Sequence, residues 1–490
     1  MVVRNTKWSA RAKRSRQFAS AVTLWAALLI ARPGDAAAEY AVVDLGALFN
    51  TDGGHSASVG MLNASRQVAM TNAPGGVAYR AFRYSDGSAL DLGTLGGSNS
   101  FASGINSAGQ VAGRSLTSGN VMHAFVWTPG GAGGVASNPQ MMDLNPTGGV
   151  SQAYAINTGG QMAGFVTIPG PGKQSADRAF RYSNGALTQL PLPAGNFSAS
   201  YAYGINDNGK VVGEAYTGSS SLGHGFFYNG TTSVEIGNLG GGGSTPFAID
   251  NNDRIAGYSA NADGFDHAFL YTDGSMMDLG TLGGHYSYAK AINNNNQIVG
   301  GSFTDNVDSI YHAFISDGLN MTDLNAKVTS KAANWVLAEA TAINDGGAIV
   351  GTGTLSGQRH AFMLRPLTPG DANADGKVDF ADLVAVAQNY GASNADWEHG
   401  DFDGDGIVSF PDLVAIAQNY GAINPGLPPQ LAAELQGARA TVPEPSAAFA
   451  GVLACLLATR HRHRSSAPLR RSTFQKRGTE LLDRRTMPWA

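Results

Sequence analysis

The chain has 490 residues, of which 14% are charged and 43% hydrophobic, and 65 are glycine. This length allows several domains, and low charge with abundant glycine favours β structure with many turns over helical bundles. The formal net charge is −5, from 32 Lys or Arg against 37 Asp or Glu, so the excess of cations that nucleic-acid binding requires is missing. We therefore predict no nucleic-acid partner.

The first 38 residues have the pattern of a signal peptide. Residues 1–17 carry six Lys or Arg and no acid, and residues 18–31 form an apolar run of 14 residues. That run is shorter than the roughly 20 residues of a membrane-spanning helix. Alanines at 36–38 offer a cleavage position for signal peptidase. The mature, exported chain is therefore expected to begin at Glu39.

Residues 39–366 contain seven copies of one internal repeat. One copy combines Asp-Leu-Gly-Thr-Leu-Gly-Gly at 91–97, Ile-Asn at 105–106, Gln-Val-Ala-Gly at 110–113 and His-Ala-Phe at 123–125. Each copy reads as four short strands in roughly 40–50 residues, which is the period of a propeller blade. The sequence therefore predicts a mainly β fold, a seven-bladed β-propeller. The Asn or Asp of the Ile-Asn step lies at Asn63, Asn106, Asn157, Asn206, Asp250, Asn293 and Asn344.

The two ends of this repeat region predict how the ring closes. The last copy stops after His-Ala-Phe at 360–362 and lacks the Asp-Leu-Gly strand, whereas a spare copy of that strand occupies 40–46. An N-terminal strand that completes the last blade would close the ring and remove two exposed sheet edges. A linear β-solenoid is the alternative, and it needs neither a spare strand at one end nor a missing strand at the other.

The repeats resemble the HAF-repeat family of extracellular bacterial proteins over about residues 40–365. The resemblance implies secretion but little about activity.

A metal-binding ring is one interpretation of the repeated histidines. Metal ligands must converge within a few ångströms, whereas equivalent residues of a ring lie far apart, so we expect each histidine to make a local hydrogen bond instead. These residues are His123, His224, His267, His312 and His360.

Two twelve-residue segments, 371–382 and 401–412, match the EF-hand type of calcium loop. Positions 1, 3, 5, 9 and 12 offer side-chain oxygens, position 7 offers a backbone carbonyl, and glycine at position 6 permits the sharp turn. An amphipathic helix is predicted after each loop. The predicted ligands of two Ca²⁺ ions are Asp371, Asn373, Asp375, Lys377, Asp379 and Asp382 in the first loop, and Asp401, Asp403, Asp405, Ile407, Ser409 and Asp412 in the second.

The duplicated loop and exit helix over 367–422 resemble a type I dockerin. The resemblance implies calcium-dependent docking to a cohesin module through the helices and through loop positions 10 and 11. Those positions hold Phe380-Ala381 and Phe410-Pro411 here, in place of the small hydroxyl pair of cellulosomal dockerins. We therefore expect either a cohesin-like module of a different type or an intramolecular contact.

The C-terminal part carries a second processing pattern. After a linker at 423–441, Pro-Glu-Pro at 443–445 precedes an apolar stretch at 447–459 and a basic cluster. A short apolar helix with a basic stop on one side is a membrane anchor in physical terms. This order over 442–464 resembles the PEP-CTERM sorting signal, which implies transient anchoring in the membrane and removal of the tail by an exosortase. A basic tail, 465–490, extends beyond the point where that family usually stops.

Removal of both processing segments changes the charge of the chain. Residues 39–443 keep 16 Lys or Arg and 33 Asp or Glu, a net charge of −17, which suits an extracellular protein and divalent cations. The one cysteine of the sequence, Cys455, lies in the discarded anchor. The mature chain can therefore form no disulfide, no zinc-thiolate site and no cysteine nucleophile.

These features predict an exported, cell-surface binding or scaffold protein whose propeller recognises an extracellular polysaccharide or a surface protein. The alternative is an extracellular polysaccharide-degrading enzyme, a glycoside hydrolase or lyase, or its accessory subunit. Glycosidases need two paired carboxylates, whereas the acids here recur at repeat positions, so we predict no enzymatic activity. Those acids include Asp91, Asp143, Asp278 and Asp323. Core packing, rather than stacking on sugars, is the expected role of Tyr201, Tyr286, Tyr288 and Trp335.

Overall fold

The structure is a computed structural model that describes residues 40–46, 58–72, 78–85, 87–169, 175–218, 222–329, 334–393 and 395–422. The predicted signal peptide, linker, sorting segment and basic tail lie outside these residues. Within the part of the chain that is described, no helix combines the length and the apolar character needed to cross a bilayer.

Seven four-stranded antiparallel sheets, here called blades 1 to 7 in chain order, make up the repeat region. Blades 1 to 3 consist of β2 (Ser58–Leu62), β3 (Val68–Asn72), β4 (Arg80–Ser85) and β5 (Ser88–Asp91); β6 (Gly96–Ile105), β7 (Val111–Thr117), β8 (Met122–Trp127) and β9 (Met141–Asp143); and β10 (Ser151–Ile156), β11 (Met162–Pro169), β12 (Ser175–Ser183) and β13 (Ala186–Gln189). Blades 4 and 5 consist of β14 (Phe197–Ile205), β15 (Val211–Thr217), β16 (His224–Tyr228) and β17 (Ser233–Glu235); and β18 (Gly240–Ile249), β19 (Ile255–Asn261), β20 (Asp266–Thr272) and β21 (Ser275–Asp278). Blades 6 and 7 consist of β22 (Ser287–Ile292), β23 (Ile298–Phe303), β24 (Tyr311–Ser316) and β25 (Met321–Asp323); and β26 (Trp335–Ile343), β27 (Ile349–Leu355), β28 (Gln358–Pro366) and β1 (Tyr40–Asp44).

The first strand of each repeat, which ends in Ile-Asn or its equivalent, is the inner edge of its blade. Each inner strand contacts the inner strands of both neighbouring blades, and β2 of blade 1 contacts both β6 and β26. The seven sheets therefore form a closed ring around one axis. The predicted seven-bladed β-propeller is confirmed, and an open solenoid is excluded because the first and last copies touch.

The outer edge of blade 7 is formed by β1. Its residues pair antiparallel with β28 in a register that joins Tyr40 to Pro366 and Asp44 to Phe362. The Leu45 N–H donates to the Ala361 carbonyl at 2.9 Å, as the Leu92 N–H does to Ala81 within blade 1. A strand from the start of the repeat region thus occupies the position that the Asp-Leu-Gly strand takes in other blades.

The core lies between the blades and repeats with them. The phenylalanine of the His-Ala-Phe step is almost completely buried in six blades, with at most 1% exposed. Burial of one such ring removes apolar surface worth about 1.5–3 kcal/mol from water. These residues are Phe125, Phe180, Phe226, Phe269, Phe314 and Phe362.

A ring of side-chain hydrogen bonds joins the blades at one end of the inner strands. In six blades the buried Asn of the Ile-Asn step donates from Nδ2 to the carbonyl of its counterpart in the next blade, as Asn63 does to Asn106 at 2.9 Å. Blade 5 has Asp250, which has no such donor. There Arg254 donates from Nε to Asp250 at 2.6 Å and from Nη2 to the Asn294 carbonyl in blade 6 at 2.9 Å. The arginine therefore restores the missing link to the next blade.

The described residues after the propeller form two similar halves. Helix α1 (Phe380–Asn389) and helix α2 (Phe410–Asn419) each begin at position 10 of a predicted calcium loop, so the last three loop residues already belong to the helix. Two shorter 3-10 helices are present. One, Leu324–Lys327, connects blade 6 to blade 7, and the other, Trp397–His399, lies between the two halves. The halves exchange backbone hydrogen bonds, because Gly391 donates to the Val408 carbonyl and Gly421 to the Val378 carbonyl, at 2.8 and 2.7 Å. Both valines are fully buried.

Candidate functional site

The repeated histidines pair with acids inside their own blades. Nδ1 of His123 lies 2.8 Å from Asp143, and Nδ1 of His312 lies 2.7 Å from Asp323. Each of these histidines therefore makes the expected local hydrogen bond, and the structure identifies the repeated acid as its partner. The same contact joins His224 to Glu235, His267 to Asp278, and His360 to Asp44 on β1.

The second calcium loop gathers its acids in one place. One carboxylate oxygen from each of Asp401, Asp403 and Asp405 lies within 4.8 Å of the other two. Asp401 is 5% exposed and accepts hydrogen bonds from the backbone N–H groups of Gly404 and Gly406 at 2.9 and 2.8 Å. The Ile407 N–H donates to Asp405 at 2.7 Å. The loop therefore folds back around its first carboxylate.

The first loop has the same hydrogen bonds around Asp371. The Gly376 N–H donates to Asp371 at 2.9 Å, the Asp375 N–H to Asn373 at 2.8 Å, and the Lys377 N–H to Asp375 at 2.9 Å. Burial raises the pKa of Asp371 to about 6; the N–H of Gly376 opposes this shift, and the carboxylates of Asp382 and Asp375 add to it. Ionised Asp371 is thus a buried acid beside other acids, an arrangement that a cation stabilises.

The last acid of each loop lies in the first turn of the following helix and accepts hydrogen bonds from the backbone of the loop. Asp382 and Asp412 are fully buried. Asp412 accepts from the N–H groups of Phe402 and Ser409 at 2.7 and 2.8 Å. Asp382 accepts in the same way from Asn373 and Asp379, at 3.2 and 2.8 Å, and Asp379 caps α1 by accepting from the Ala381 N–H at 2.8 Å.

The donor set of both loops fits a hard cation. All of the side-chain atoms that could bind a metal at these positions are oxygens, and Ca²⁺ is bound by oxygen ligands in proteins. Buried carboxylates are unfavourable unless they are paired or bound to a metal. The structure brings the side chains of positions 1, 3 and 5 together in the second loop; the first loop differs because position 3 is Asn373, an amide.

Large apolar side chains lie exposed beside both loops. Phe380 is 57% exposed and Phe410 is 61% exposed, and they begin α1 and α2 respectively. Ile407 of the second loop is 46% exposed. Because Phe380 and Phe410 hold equivalent positions, each half presents the same exposed apolar side chain.

The Ile-Asn ends of the inner strands surround an axial pocket of about 210 Å³ to which all seven blades contribute. Its rim includes the residue after each repeated Asn or Asp, and in blades 3 to 7 these residues hydrogen-bond from one blade to the next. Asp207 accepts from the N–H and the hydroxyl of Thr158 at 2.9 and 2.6 Å. Burial acts to raise the pKa of Asp207, but hydrogen bonds from Thr158 and Asn251 outweigh it and lower the pKa. This end of the axis therefore links the blades.

Each inner strand of blades 2 to 7 has a β-bulge two residues before the isoleucine that ends it, and therefore close to the Ile-Asn end. In blades 2 to 7 the pairing register skips the residue three before the repeated Asn or Asp. Small residues flank the skipped one, which varies from blade to blade. The skipped residues are Ser103, Tyr154, Tyr203, Phe247, Lys290 and Thr341.

The repeated glycine of the neighbouring strand accommodates each bulge. A Cβ added to Gly164 would lie 1.9 Å from the Gln152 carbonyl oxygen, and one added to Gly213 would lie 1.9 Å from that of Tyr201. No side chain fits at such a distance, so the glycine is required for the close approach of the two strands.

Aromatic side chains at and around these bulges form one continuous group, here called the axial aromatic cluster. Rings of adjacent blades touch: the centroids of Tyr154 and Tyr203 lie 5.3 Å apart, and those of Tyr203 and Phe247 lie 5.7 Å apart. Every member is half-buried and therefore reaches solvent. The cluster consists of Tyr154, Phe165, Tyr201, Tyr203, Tyr216, Phe247, Tyr258 and Tyr288.

The sequence pattern did not single out this cluster. Tyr201 and Tyr288, expected to be core residues, are members of it, whereas Trp335 packs in blade 7 with its ring 6.2 Å from Phe362. The signal that marks the cluster is a large, variable residue between two small ones in an otherwise uniform strand, as with Tyr154 between Ala153 and Ala155.

A buried carboxylate anchors the middle of the cluster. Glu214 on β15 is 5% exposed. It accepts hydrogen bonds from the hydroxyls of Tyr203 at 2.9 Å and Tyr216 at 2.7 Å, and also from the hydroxyl of Thr245. Burial, with the nearby Glu214 carboxylate, raises the pKa of Tyr203 far above its ordinary value, so this hydroxyl stays protonated. Asp177 holds the Tyr201 hydroxyl in the same way at 2.6 Å.

Comparison with known proteins gives likenesses of structure alone. No protein-family profile matches the chain, and no curated protein matches it. A puromycin hydrolase mutant is similar with a TM-score of 0.42 and 12% identity over 62% of this chain and 51% of that chain. The acylaminoacyl peptidase of Pyrococcus horikoshii gives 0.39 and 11% over 65% and 53%. The β-propeller domain of the Trilobed protease of Pyrococcus furiosus gives 0.32 and 11% over 56% and 97%.

These likenesses correct one prediction. The chain spans about half the length of the puromycin hydrolase and of the acylaminoacyl peptidase. A hydrolase and a peptidase are among the similar structures, so the prediction of no enzymatic activity is wrong as a deduction from the repeated acids, because acids at repeated positions say nothing against catalysis elsewhere on a propeller. The TM-scores and identities are too low for any reaction to be carried over to this chain.

Proposed function

We propose that the chain is an exported, cell-surface binding or scaffold protein with a recognition surface on the propeller and a calcium-dependent docking module at 367–422. The observation that carries this proposal is the paired exposure of Phe380 and Phe410 beside two oxygen-rich loops. Large apolar side chains at equivalent, exposed positions favour a partner that covers them. The propeller's ligand is an extracellular polysaccharide or a surface protein.

Two Ca²⁺ ions are proposed to order the docking module. Bound Ca²⁺ would neutralise the clustered carboxylates, so that folding of the module and metal binding are coupled. The first ion would be held by Asp371, Asn373, Asp375, Asp379 and Asp382 with the Lys377 carbonyl; the second by Asp401, Asp403, Asp405, Ser409 and Asp412 with the Ile407 carbonyl. The resulting module would be dockerin-like, with a cohesin-like module as its partner.

Export and sorting complete the proposal. Residues 1–38 would be removed by signal peptidase, and residues 442–464 would hold the chain in the membrane until an exosortase acts. The HAF-type repeats at 39–366 would then be displayed at the cell surface. We also propose that β1 closes the ring, which the pairing of Asp44 with the His360 strand supports.

A docking experiment tests the module. Phe380→Ser and Phe410→Ser together should abolish calcium-dependent capture of a surface partner from the protein's own cell envelope, while Val234→Ser, a change of an apolar propeller residue that is 44% exposed, should leave capture intact. Addition of EDTA should release the partner from the unaltered chain. Capture that survives both the double substitution and EDTA would rule out the module as the docking element. Release of reducing ends from an added polysaccharide would instead reveal catalysis.

A further inference from the structure

The bulged positions of the inner strands carry a different residue in almost every blade, whereas the rest of each strand follows the repeat. A β-bulge re-aims the side chain that it displaces, and bulges are enriched next to functional sites. In blades 3, 4 and 5 the displaced residues are Tyr154, Tyr203 and Phe247, so three rings lie side by side across three blades. The residues next to them in the chain are small, so the fold does not need aromatic rings at these places.

Hydrogen bonds to carboxylates hold three tyrosine rings of the cluster in place. The hydroxyls of Tyr203 and Tyr216 end on the buried Glu214, and that of Tyr201 ends on Asp177. Tyrosine rings held in this way present rigid apolar faces with little loss of conformational entropy on binding. All eight residues are partly exposed, so part of the cluster is within reach of a ligand.

Two cations lie close to the cluster, and one of them is paired with a carboxylate. The Lys290 ammonium lies 4.8 Å from the Phe247 ring centroid and 3.4 Å from the Glu339 carboxylate. Arg114 lies over the Phe101 ring with Cζ 4.6 Å from its centroid, and it donates to Gln152 at 2.5 Å. With the carboxylates outnumbering the cations in this region, a polyanion would meet repulsion.

We infer that the axial aromatic cluster binds a neutral oligosaccharide, with Tyr154, Tyr203 and Phe247 as the stacking surface. Sugar rings offer apolar C–H faces that match aromatic faces, and hydroxyls that bond to carboxylates such as that of Glu339. This inference rests on the proposed recognition function of the propeller and names its site and the chemistry of its ligand.

Calorimetric titration of the full chain without its signal peptide tests the inference. The probes are cellohexaose, maltohexaose and xylohexaose as neutral oligosaccharides and hexagalacturonate as an anionic one. At least one neutral probe should bind, and hexagalacturonate should not. Phe247→Ala should weaken binding about tenfold or more, as expected for loss of a central aromatic anchor. Tyr271→Ala, which removes a half-buried ring of the same blade outside the cluster, should leave affinity unchanged.

Controls separate this inference from the recognition function itself. Tyr203→Phe keeps the ring and removes only its hydroxyl, so it serves if Phe247→Ala does not fold; it should weaken binding by less than Phe247→Ala would. Neutral binding that is insensitive to Phe247→Ala and Tyr203→Phe would place the sugar elsewhere and overturn the inference while leaving recognition standing. Preference for hexagalacturonate would also overturn it. If none of the four sugars binds, the inference is overturned. Capture of a surface protein by the propeller then tests whether the propeller has a recognition function at all.

Discussion

At the scale of single residues, the ring of blade-to-blade hydrogen bonds has one substituted link. Asp250 has 1% of its side chain exposed and Arg254 has 20%, so the pair lies largely out of water. Arg254 both neutralises Asp250 and reaches the next blade. A buried ion pair of this kind need not be more stable than the amide link it replaces, but its separation is unfavourable.

We therefore expect Arg254→Gln alone to lower the free energy of unfolding by about 3 kcal/mol, because it leaves a buried carboxylate without its cation. The double substitution Asp250→Asn with Arg254→Gln recreates the Asn and Gln found in blades 1, 2, 3 and 6. It should recover most of the loss. Denaturant unfolding of both variants measures this, and a double variant as unstable as the single one would contradict the account.

The histidine–acid pairs predict a pH dependence. The hydrogen bond to Asp278 raises the pKa of His267, and burial opposes this shift. For Asp278, burial acts to raise the pKa, but the hydrogen bonds from His267 and the Gly280 N–H, with the charge of His267, together outweigh it and lower the pKa. The pair therefore stabilises the folded state most between the ordinary pKa values of the two groups, about 4 and about 6.5.

Stability from His267 should be complete below pH about 6.5 and should be lost as pH rises through its raised pKa. His267→Asn should therefore destabilise the propeller more at pH 5.5 than at pH 8.5, by less than about 1 kcal/mol because the acid is partly exposed. Thermal melts of the two proteins at both pH values measure the difference. An equal loss at the two pH values would show that the imidazole acts only by packing.

At the scale of elements, β1 is the strand that comes from the far end of the repeat region. Leu45 follows it and is fully buried, as Leu92 is after β5, where 2% of the side chain is exposed. The two leucines thus occupy matched positions, one on a strand that is continuous with its blade and one on a strand supplied from outside it.

If β1 is an integral part of blade 7, Leu45→Ala and Leu92→Ala should lower the free energy of unfolding by similar amounts, about 2–5 kcal/mol each, because each leaves a cavity in a packed core. Denaturant unfolding of the two variants provides the comparison. A full effect of Leu92→Ala with little effect of Leu45→Ala would mean that β1 contributes nothing to closure.

At the scale of the whole molecule, the structure has a propeller whose core is made of its own blades and a smaller part whose loops are built on carboxylates. Trp397 reports on the smaller part, because it is 5% exposed and its Nε1–H donates to the Asp371 carbonyl at 2.7 Å. Among the described residues of the propeller, no comparable set of acids converges in a way that could hold a metal ion.

Chelation of calcium should therefore unfold 367–422 and leave the propeller folded. We expect EDTA to shift only the lower of two thermal transitions and to change Trp397 fluorescence. Asp412→Ala should reduce the calcium stoichiometry from two to one, whereas Asp273→Ala in an exposed propeller turn should not change it. Calorimetry and titration measure both effects, and a propeller transition that moves with EDTA would contradict this separation.

Local patterns in the sequence determined the number of blades, the order of strands in each blade, a local hydrogen bond for each repeated His, and the positions of the two acidic loops. Each of these follows from alternation along a strand, from turn residues or from fixed spacing, and all of them act over a few residues. The repeat also predicted that Tyr40–Asp44 is a strand without a local partner.

Only the tertiary structure decided which side chains meet across blades. The contact of Arg254 with Asn294, the hydrogen bond from the Thr245 hydroxyl to Glu214 and the adjacent rings of Tyr154 and Tyr203 join residues of different repeats. Such contacts depend on how neighbouring sheets pack around the axis and on a bulge that displaces one residue per inner strand. Neither is written in the period of the sequence, because the period is the same whichever side chain the bulge carries.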